Sequence, residues 1–188
     1  MAVPVQTGAG SRCRRRSGHD GPMTSGRRVS DDFRAVEEPF LRFTSTIVLC
    51  TVTTVSPEGR PRSRMLHPVF RVEEGRPVGW VCTGRTPVKV AHLAHDPHVA
   101  VCYWSPANDT VYAECLATWV ETEEEKRHVW DVFTTTPRPV GYDLSPYGSP
   151  TAPGFTPLRL DPWRVQVVAG SEYPFGDLTG RIWQRSDR

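Results

Sequence analysis

Short runs of β-branched and aromatic residues, separated by turn residues, fill most of the chain between residues 44 and 170. Runs of this composition are typical of β-strands. The intervening stretches SPEGR, EEGR and SPAND have the composition of hairpin turns. The pattern predicts strands at residues 44–55, 61–72, 77–83, 98–104 and 110–120, and one strand or two within 155–170.

Three segments show instead the three-to-four-residue apolar spacing of helices. The first, at residues 30–43, starts with Ser30 as a candidate N-cap, and an internal proline predicts two short pieces. The second starts with Thr86 as N-cap, has proline in the first helical position, and stops at the Asp-Pro pair 96–97. The third, at residues 123–133, follows a capping-box pattern.

This order of elements predicts a mainly β (α+β) protein. The first three predicted strands follow one another without helices between them, which excludes a parallel α/β fold. Hairpins with few helices are typical of a small antiparallel barrel with helices at its ends or in its crossovers.

The charge distribution divides the chain. Residues 1–28 carry six arginines and one acid with almost no apolar periodicity, and we expect a disordered basic leader there. The other 160 residues carry 17 basic and 20 acidic groups, so a nucleic-acid partner is not expected. We expect one domain at residues 29–170, which includes a proline-rich loop at 134–154, and a polar tail at 171–188.

The cysteines and apolar runs favour a cytoplasmic protein. The five cysteines form no Cys-x-x-Cys pair, and four of them fall in predicted strands, as expected for core residues in a reducing compartment. No apolar run approaches the roughly 20 residues of a membrane helix. No apolar segment follows the N-terminal arginines, so we predict neither export nor membrane insertion.

Three basic residues are candidates for anion binding. Lys89, one of only two lysines, falls in the first turn of the second predicted helix, where unpaired N–H groups and the helix dipole already favour negative charge. A phosphate is the usual anion at such a position, and the alternative is a solvated lysine. Arg62 and Arg64 share one strand face and either bind an anion or reach solvent.

These candidates lie in a longer pattern. GRPRSRML, followed by WVCTGRTPVKVAHLAHDPHVAVCYW, resembles the pyridoxamine 5'-phosphate oxidase-like family of FMN- and deazaflavin-binding split β-barrels. The resemblance spans roughly residues 33–168. It implies a six-stranded antiparallel split barrel with Greek-key topology and short flanking helices. It also implies a homodimer with the cofactor at the subunit interface.

The resemblance assigns expected roles by position. Arg64, with Arg62 beside it, is expected at the flavin phosphate, and Thr86 and Lys89 are expected to complete that site. Met65 and Leu66 are expected to line the ring, and Thr83 is expected to hydrogen-bond near the ring or the ribityl chain. The partner subunit is expected to contribute Thr110 or Trp163.

Two departures argue against oxidation of pyridoxamine phosphate itself. Members with that activity carry a lysine where this chain has Val69, and the terminal GRIWQRSDR lacks their Arg-x-His stretch. We therefore expect an FMN-dependent oxidoreductase that transfers hydride to or from another small molecule. The alternatives are a reductase that uses the deazaflavin coenzyme F-420, with Arg60, Arg62 and Arg85 available for its acidic tail, and a non-catalytic flavin or haem binding protein.

No acid–base residue stands out. His67 lies next to the expected ring site and is a candidate proton donor, although a strand histidine facing solvent or core is the simpler interpretation. His92, His95 and His98 recur at three-residue spacing, but no carboxylate or cysteine completes a metal site. We expect no metal.

Overall fold

The computed structural model describes residues 29–172 and 180–186, so the predicted leader at 1–28 lies outside the described residues. None of the described helices is long and apolar enough to cross a membrane. The α-helices are α1 (Glu37–Ile47), α2 (Pro87–His95) and α3 (Glu123–Thr135). The strands are β1 (Val29–Ser30), β2 (Cys50–Val55), β3 (Pro61–Leu66), β4 (Val69–Glu73), β5 (Arg76–Cys82), β6 (His98–Trp104), β7 (Thr110–Trp119), β8 (Pro157–Val168) and β9 (Arg181–Gln184).

The strands form one mixed, open sheet. Its main path runs β1-β9-β8-β7-β6-β2-β3, and β5 joins it by pairing with β8 and with β4. All pairs are antiparallel except β1 with β9. A mainly β split barrel was predicted correctly, but the expected six antiparallel strands are nine strands in a mixed sheet.

The additional strands have local causes. The predicted strand at 61–72 is two strands, because the chain leaves the ladder at His67 and Pro68, and proline has no N–H to donate. β9 lies in the segment predicted to be a polar tail, where Trp183 is buried against β8. β1 occupies the position expected for the first helix cap.

The first helix reaches four residues further than predicted. Residues 44–47 were assigned to a strand because of their β-branched side chains, but they complete α1. Phe40, Phe43 and Ile47 continue one apolar face, and Thr44 donates to the Phe40 carbonyl at 2.9 Å. Helical periodicity therefore outweighs local strand propensity here.

The core has two parts on the two faces of β5. Val81 packs into the main cluster inside the barrel, whereas Trp80 packs into a second cluster beneath α3. The proline-rich segment 134–154 closes this second cluster: Leu144 and the adjoining Phe155 are fully buried. The segment is thus a packed cover over β4 and β5.

Candidate functional site

The first turn of α2 meets the end of β5. Lys89 is the third residue of the helix and only 6% exposed. Its Nζ donates to the Thr83 hydroxyl and to the Gly84 carbonyl, the latter at 2.7 Å. Thr83 is fixed in turn, because its carbonyl accepts a hydrogen bond of 3.0 Å from Thr156. The ammonium therefore points back across the start of its own helix.

Arg64 reaches the same region from β3. It faces the barrel side of the sheet, because it pairs with buried Val52 of β2 and paired residues share a face. Arg64 Nη1 donates to Thr54 Oγ1 at 2.9 Å, and Thr54 Oγ1 also lies 2.9 Å from His92 Nδ1 on α2. The edge strand and the helix are thereby joined through β2.

These cations have no acidic partner in the described part of the chain. None of its ion pairs involves Arg62, Arg64 or Lys89. Burial and the charge of Arg64 lower the pKa of Lys89, and burial and the charge of Arg62 lower the pKa of Arg64. Partly buried cations that repel one another are stabilised by a bound anion.

Thr86 has only part of its predicted role. It occupies the N-cap position of α2, with Pro87 at the first helical position as expected. Its side chain makes no capping hydrogen bond, so the predicted hydroxyl cap is wrong. The exposed hydroxyl lies at the mouth of the helix N-terminus, where an anion could accept from it.

The two residues after Arg64 lie on opposite faces of the sheet. Leu66 is half-buried against the main core, whereas Met65 is 60% exposed on the outer face. β3 is the last strand of the main path, so one side of its backbone is not used in that sheet. This free edge can offer N–H and C=O groups to a planar heterocycle.

Within one subunit, Thr110 and Trp163 do not join this cluster. Thr110 starts β7 and Trp163 lies in β8, respectively three and four strands from β3 along the sheet. Trp163 lines a groove of about 580 Å³ on the outer face, together with Cys102 and Tyr112. Their predicted role as contributions of a partner subunit stays a prediction.

His67 faces protein, as the simpler interpretation held. Its ring lies 4.8 Å from that of Tyr142, centroid to centroid, and its buried Nε2 has no hydrogen-bond partner within the described residues. Burial lowers the pKa of His67, and a hydrogen bond with the Val140 backbone offsets part of this effect. Burial therefore disfavours the charged imidazole, and the role of His67 as a proton donor stays a prediction.

Sequence reasoning missed Thr54 and His92. Thr54 is one of three threonines in the six residues of β2, and nothing in that run distinguishes it. His92 carried a usable signal, because it lies three residues after Lys89 and therefore near the same helix face. Both are buried, at 2% and 6% exposure, so they lie beneath the candidate site and contact its residues from the protein interior.

The arrangement fits a phosphate-bearing cofactor. The start of α2 supplies N–H groups and a dipole, Lys89 and Arg64 supply charge, and Thr83 and Thr86 supply hydroxyl groups. Met65 and Leu66 continue β3 beyond Arg64, where an attached ring would lie along the strand edge.

Comparisons with known proteins agree with this geometry. A family model described as pyridoxamine 5'-phosphate oxidase matches residues 36–169, well over half of the chain. No curated protein matches.

Several solved structures are similar in fold. A pyridoxamine 5'-phosphate oxidase-related, FMN-binding protein from Nostoc punctiforme is 20% identical, with 75% of this chain and 86% of that one covered and a TM-score of 0.53. A conserved hypothetical protein from Mycobacterium tuberculosis is 19% identical, with 71% and 84% covered and a TM-score of 0.54. A protein of the pyridoxinephosphate oxidase family from Clostridium acetobutylicum, related to general stress protein 26, is 13% identical, with 74% and 91% covered and a TM-score of 0.53.

Proposed function

Because the chain belongs to the pyridoxamine 5'-phosphate oxidase family, we propose that it is an FMN-dependent oxidoreductase acting on a small molecule other than pyridoxamine phosphate. When bound, the flavin ring supplies hydride transfer. The protein supplies binding, orientation and exclusion of water.

The observation that carries the proposal is a buried cation, Lys89, and a half-buried one, Arg64, without an acid between them. Lys89 and Arg64 approach from a helix start and an edge strand, and none of the ion pairs in the described ranges compensates them. A buried charge is normally paired, so the missing partner is best supplied by a ligand. A dianionic phosphate matches two cations and a helix N-terminus in charge and geometry.

The residues beyond Arg64 argue against a second phosphate. Val69, which stands where a substrate-binding lysine was sought, is buried in the second core. Burial also lowers the pKa of His67, two residues before Val69, and so disfavours its cationic form. This side of the site therefore suits a substrate, or a part of one, without an anionic group.

We propose further that two copies of the chain form a homodimer across the outer face of the sheet. Met65 and Trp104, respectively 60% and 58% exposed, line a groove of about 680 Å³ together with exposed Leu49. Met65, Thr51 and Cys102 are directly paired across β3, β2 and β6, and the row continues to exposed Tyr112 of β7.

Large contiguous apolar surfaces of this kind commonly mark interfaces. Met65 neighbours Arg64 on the same strand, so a partner that covers Met65 also borders the phosphate site. A shared cofactor site then follows from the geometry of one edge strand.

A deazaflavin cofactor is the second candidate, and the exposed Arg62 favours it. Arg62 lies on the same face as Arg64, two residues further along β3, and has no ion-pair partner within the described residues. It is therefore available to the acidic tail of coenzyme F-420. Arg85 is not equally available, because it pairs with Glu121 and stacks over Trp119.

The test is the visible absorption spectrum of the purified protein, followed by heat release and mass spectrometry of any ligand. Titration of the ligand-free protein with FMN and with F-420 completes it. FMN in near-stoichiometric amount supports the proposal, and selective binding of F-420 supports the second candidate. A protein that binds neither contradicts both.

A further inference from the structure

Thr54 lies at the centre of a buried hydrogen-bonded chain that no sequence signal predicted. Its hydroxyl connects Arg64 of β3, at 2.9 Å, with Nδ1 of His92 on α2, also at 2.9 Å. Thr54 is 2% exposed and His92 is 6% exposed, so water does not readily replace either contact.

The chemistry of the three side chains determines which of them donates and which accepts in each hydrogen bond. A guanidinium has donors only, so Arg64 donates to a lone pair of Thr54 Oγ1. The single hydrogen of the buried hydroxyl then needs an acceptor, and His92 Nδ1 is the acceptor that the described hydrogen bonds provide. With Nδ1 as the acceptor, the lone pairs of the hydroxyl stay turned towards Arg64.

We infer that Thr54 and His92 are positioning residues that fix the Arg64 guanidinium for the cofactor phosphate. This inference rests on the proposed function. Without the hydrogen bonds from Arg64 to Thr54 and from Thr54 to His92, the Arg64 side chain could extend from the edge strand towards solvent, as exposed Arg62 does. With them, Nη1 is engaged at Thr54, and at 3.4 Å also at the Arg62 carbonyl, so the other donors of the planar fork are held in a defined direction.

The arrangement also links α2 to β3 through β2. Lys89 and His92 lie one turn apart on α2, so the helix that supplies one cation also fixes the other. A displacement of α2 would therefore alter both phosphate ligands together. This coupling predicts that loss of these hydrogen bonds weakens recognition of the phosphate and leaves recognition of the ring unchanged.

The experiment compares FMN with riboflavin, which lacks the phosphate, in binding titrations of the purified dimer. Thr54→Val should weaken FMN binding about tenfold, because an oriented charge-assisted contact is lost, and should change riboflavin binding by less than about twofold. His92→Leu should act in the same direction. His92→Asn should restore FMN binding, because an amide oxygen can accept at the place of Nδ1.

A double-mutant cycle isolates the route through Arg64. In an Arg64→Ala background, Thr54→Val should have no further effect on FMN affinity. Thr53→Val is the matched control: Thr53 lies on the opposite face of β2, where its hydroxyl bonds Ser63 at 2.7 Å. Thermal unfolding of each variant shows that the folded protein is compared.

Each outcome is decisive. Equal losses for FMN and riboflavin, additive effects in the cycle, or FMN binding that is unchanged in folded Thr54→Val and His92→Leu would overturn the inference alone. Wild-type protein that binds neither FMN nor F-420 would overturn the proposed function and the inference with it.

Discussion

Replacement of Lys89 by methionine removes one of the two positive charges of the proposed phosphate site while keeping the length and most of the volume of the side chain. Lys89 is buried, repelled by Arg64 and held by Thr83 and Gly84. The substitution should therefore weaken ligand binding strongly and change the stability of the ligand-free fold little. Replacement of an ordinary surface lysine would not be expected to weaken binding of a phosphate ligand, so this variant tests the assigned role of Lys89.

The magnitudes follow from the contacts. A hydrogen bond to a charged group contributes about 1.5–3 kcal/mol, so FMN affinity should fall by about tenfold to 150-fold. Loss of the two internal hydrogen bonds of the ammonium costs about 1.5–3 kcal/mol each by the same rule. Removal of an uncompensated buried cation offsets much of that cost, and the free energy of unfolding of the ligand-free protein should change by less than about 1 kcal/mol.

The assay is fluorescence titration with FMN and riboflavin, together with thermal unfolding of the ligand-free protein. Lys126→Met is the matched control, because it removes the other lysine of the chain, on α3, and should leave both affinities unchanged. FMN affinity within about twofold of the wild type, or an equal loss for riboflavin, would refute the assignment of Lys89 to the phosphate.

Three further predictions concern pH, assembly and backbone strain. The pKa of Lys89 lies below its usual 10.5, so FMN affinity should fall as the pH rises through that lowered pKa, and Lys89→Arg should retain its affinity to higher pH in the same titration. Trp104→Glu should convert the proposed dimer to monomer and release the proposed flavin together with it, as measured by light scattering and absorbance. Val48→Gly should raise the free energy of unfolding by about 1 kcal/mol, because Val48 has φ of 67°, a conformation that strains valine but not glycine. A lower free energy of unfolding for the variant, measured by urea denaturation, would contradict this.

The pH prediction depends on the sign of the linkage. A lysine with a lowered pKa in the ligand-free fold binds its proton more weakly than in the unfolded chain. Its charged form therefore destabilises the ligand-free protein, and stability rises with pH from the folded pKa towards 10.5. A bound phosphate reverses this preference because it stabilises the ammonium. Ligand binding is consequently coupled to proton uptake in that window.

The sequence predicted the parts of the fold that local rules determine. The hairpin turns follow this rule: Glu74 and Gly75 both have positive φ between β4 and β5, as a two-residue turn requires. The capping box was also correct, with Thr122 accepting from the Glu125 N–H at 3.2 Å. What failed was decided by tertiary contacts. Residues 44–47 became helix because their apolar face is buried, and β9 formed because β8 offers it a free edge.

The site was predictable to the extent that it is encoded in neighbouring residues. Lys89 was identified because a cation in a first helical turn is locally unfavourable, and Arg64 because it shares a strand face with Arg62. The link between them was not predictable, since Thr54 and His92 are 38 residues apart and meet only when α2 packs on β2. Pattern analysis therefore identifies candidate ligand-binding groups more readily than the groups that position them.

The position of the site follows from the open sheet. Along the main path β3 has a single partner, β2, so a ligand can meet both its free backbone edge and the arginine on its inner face. The end of β5 delivers Thr83 and the start of α2 to that same place, because the chain crosses from the β4–β5 branch back to β6 by way of α2. A closed barrel would pair β3 on both sides and leave no edge to bind. The opening in the sheet is therefore what allows a cation pair, a helix N-terminus and a free strand edge to serve one ligand.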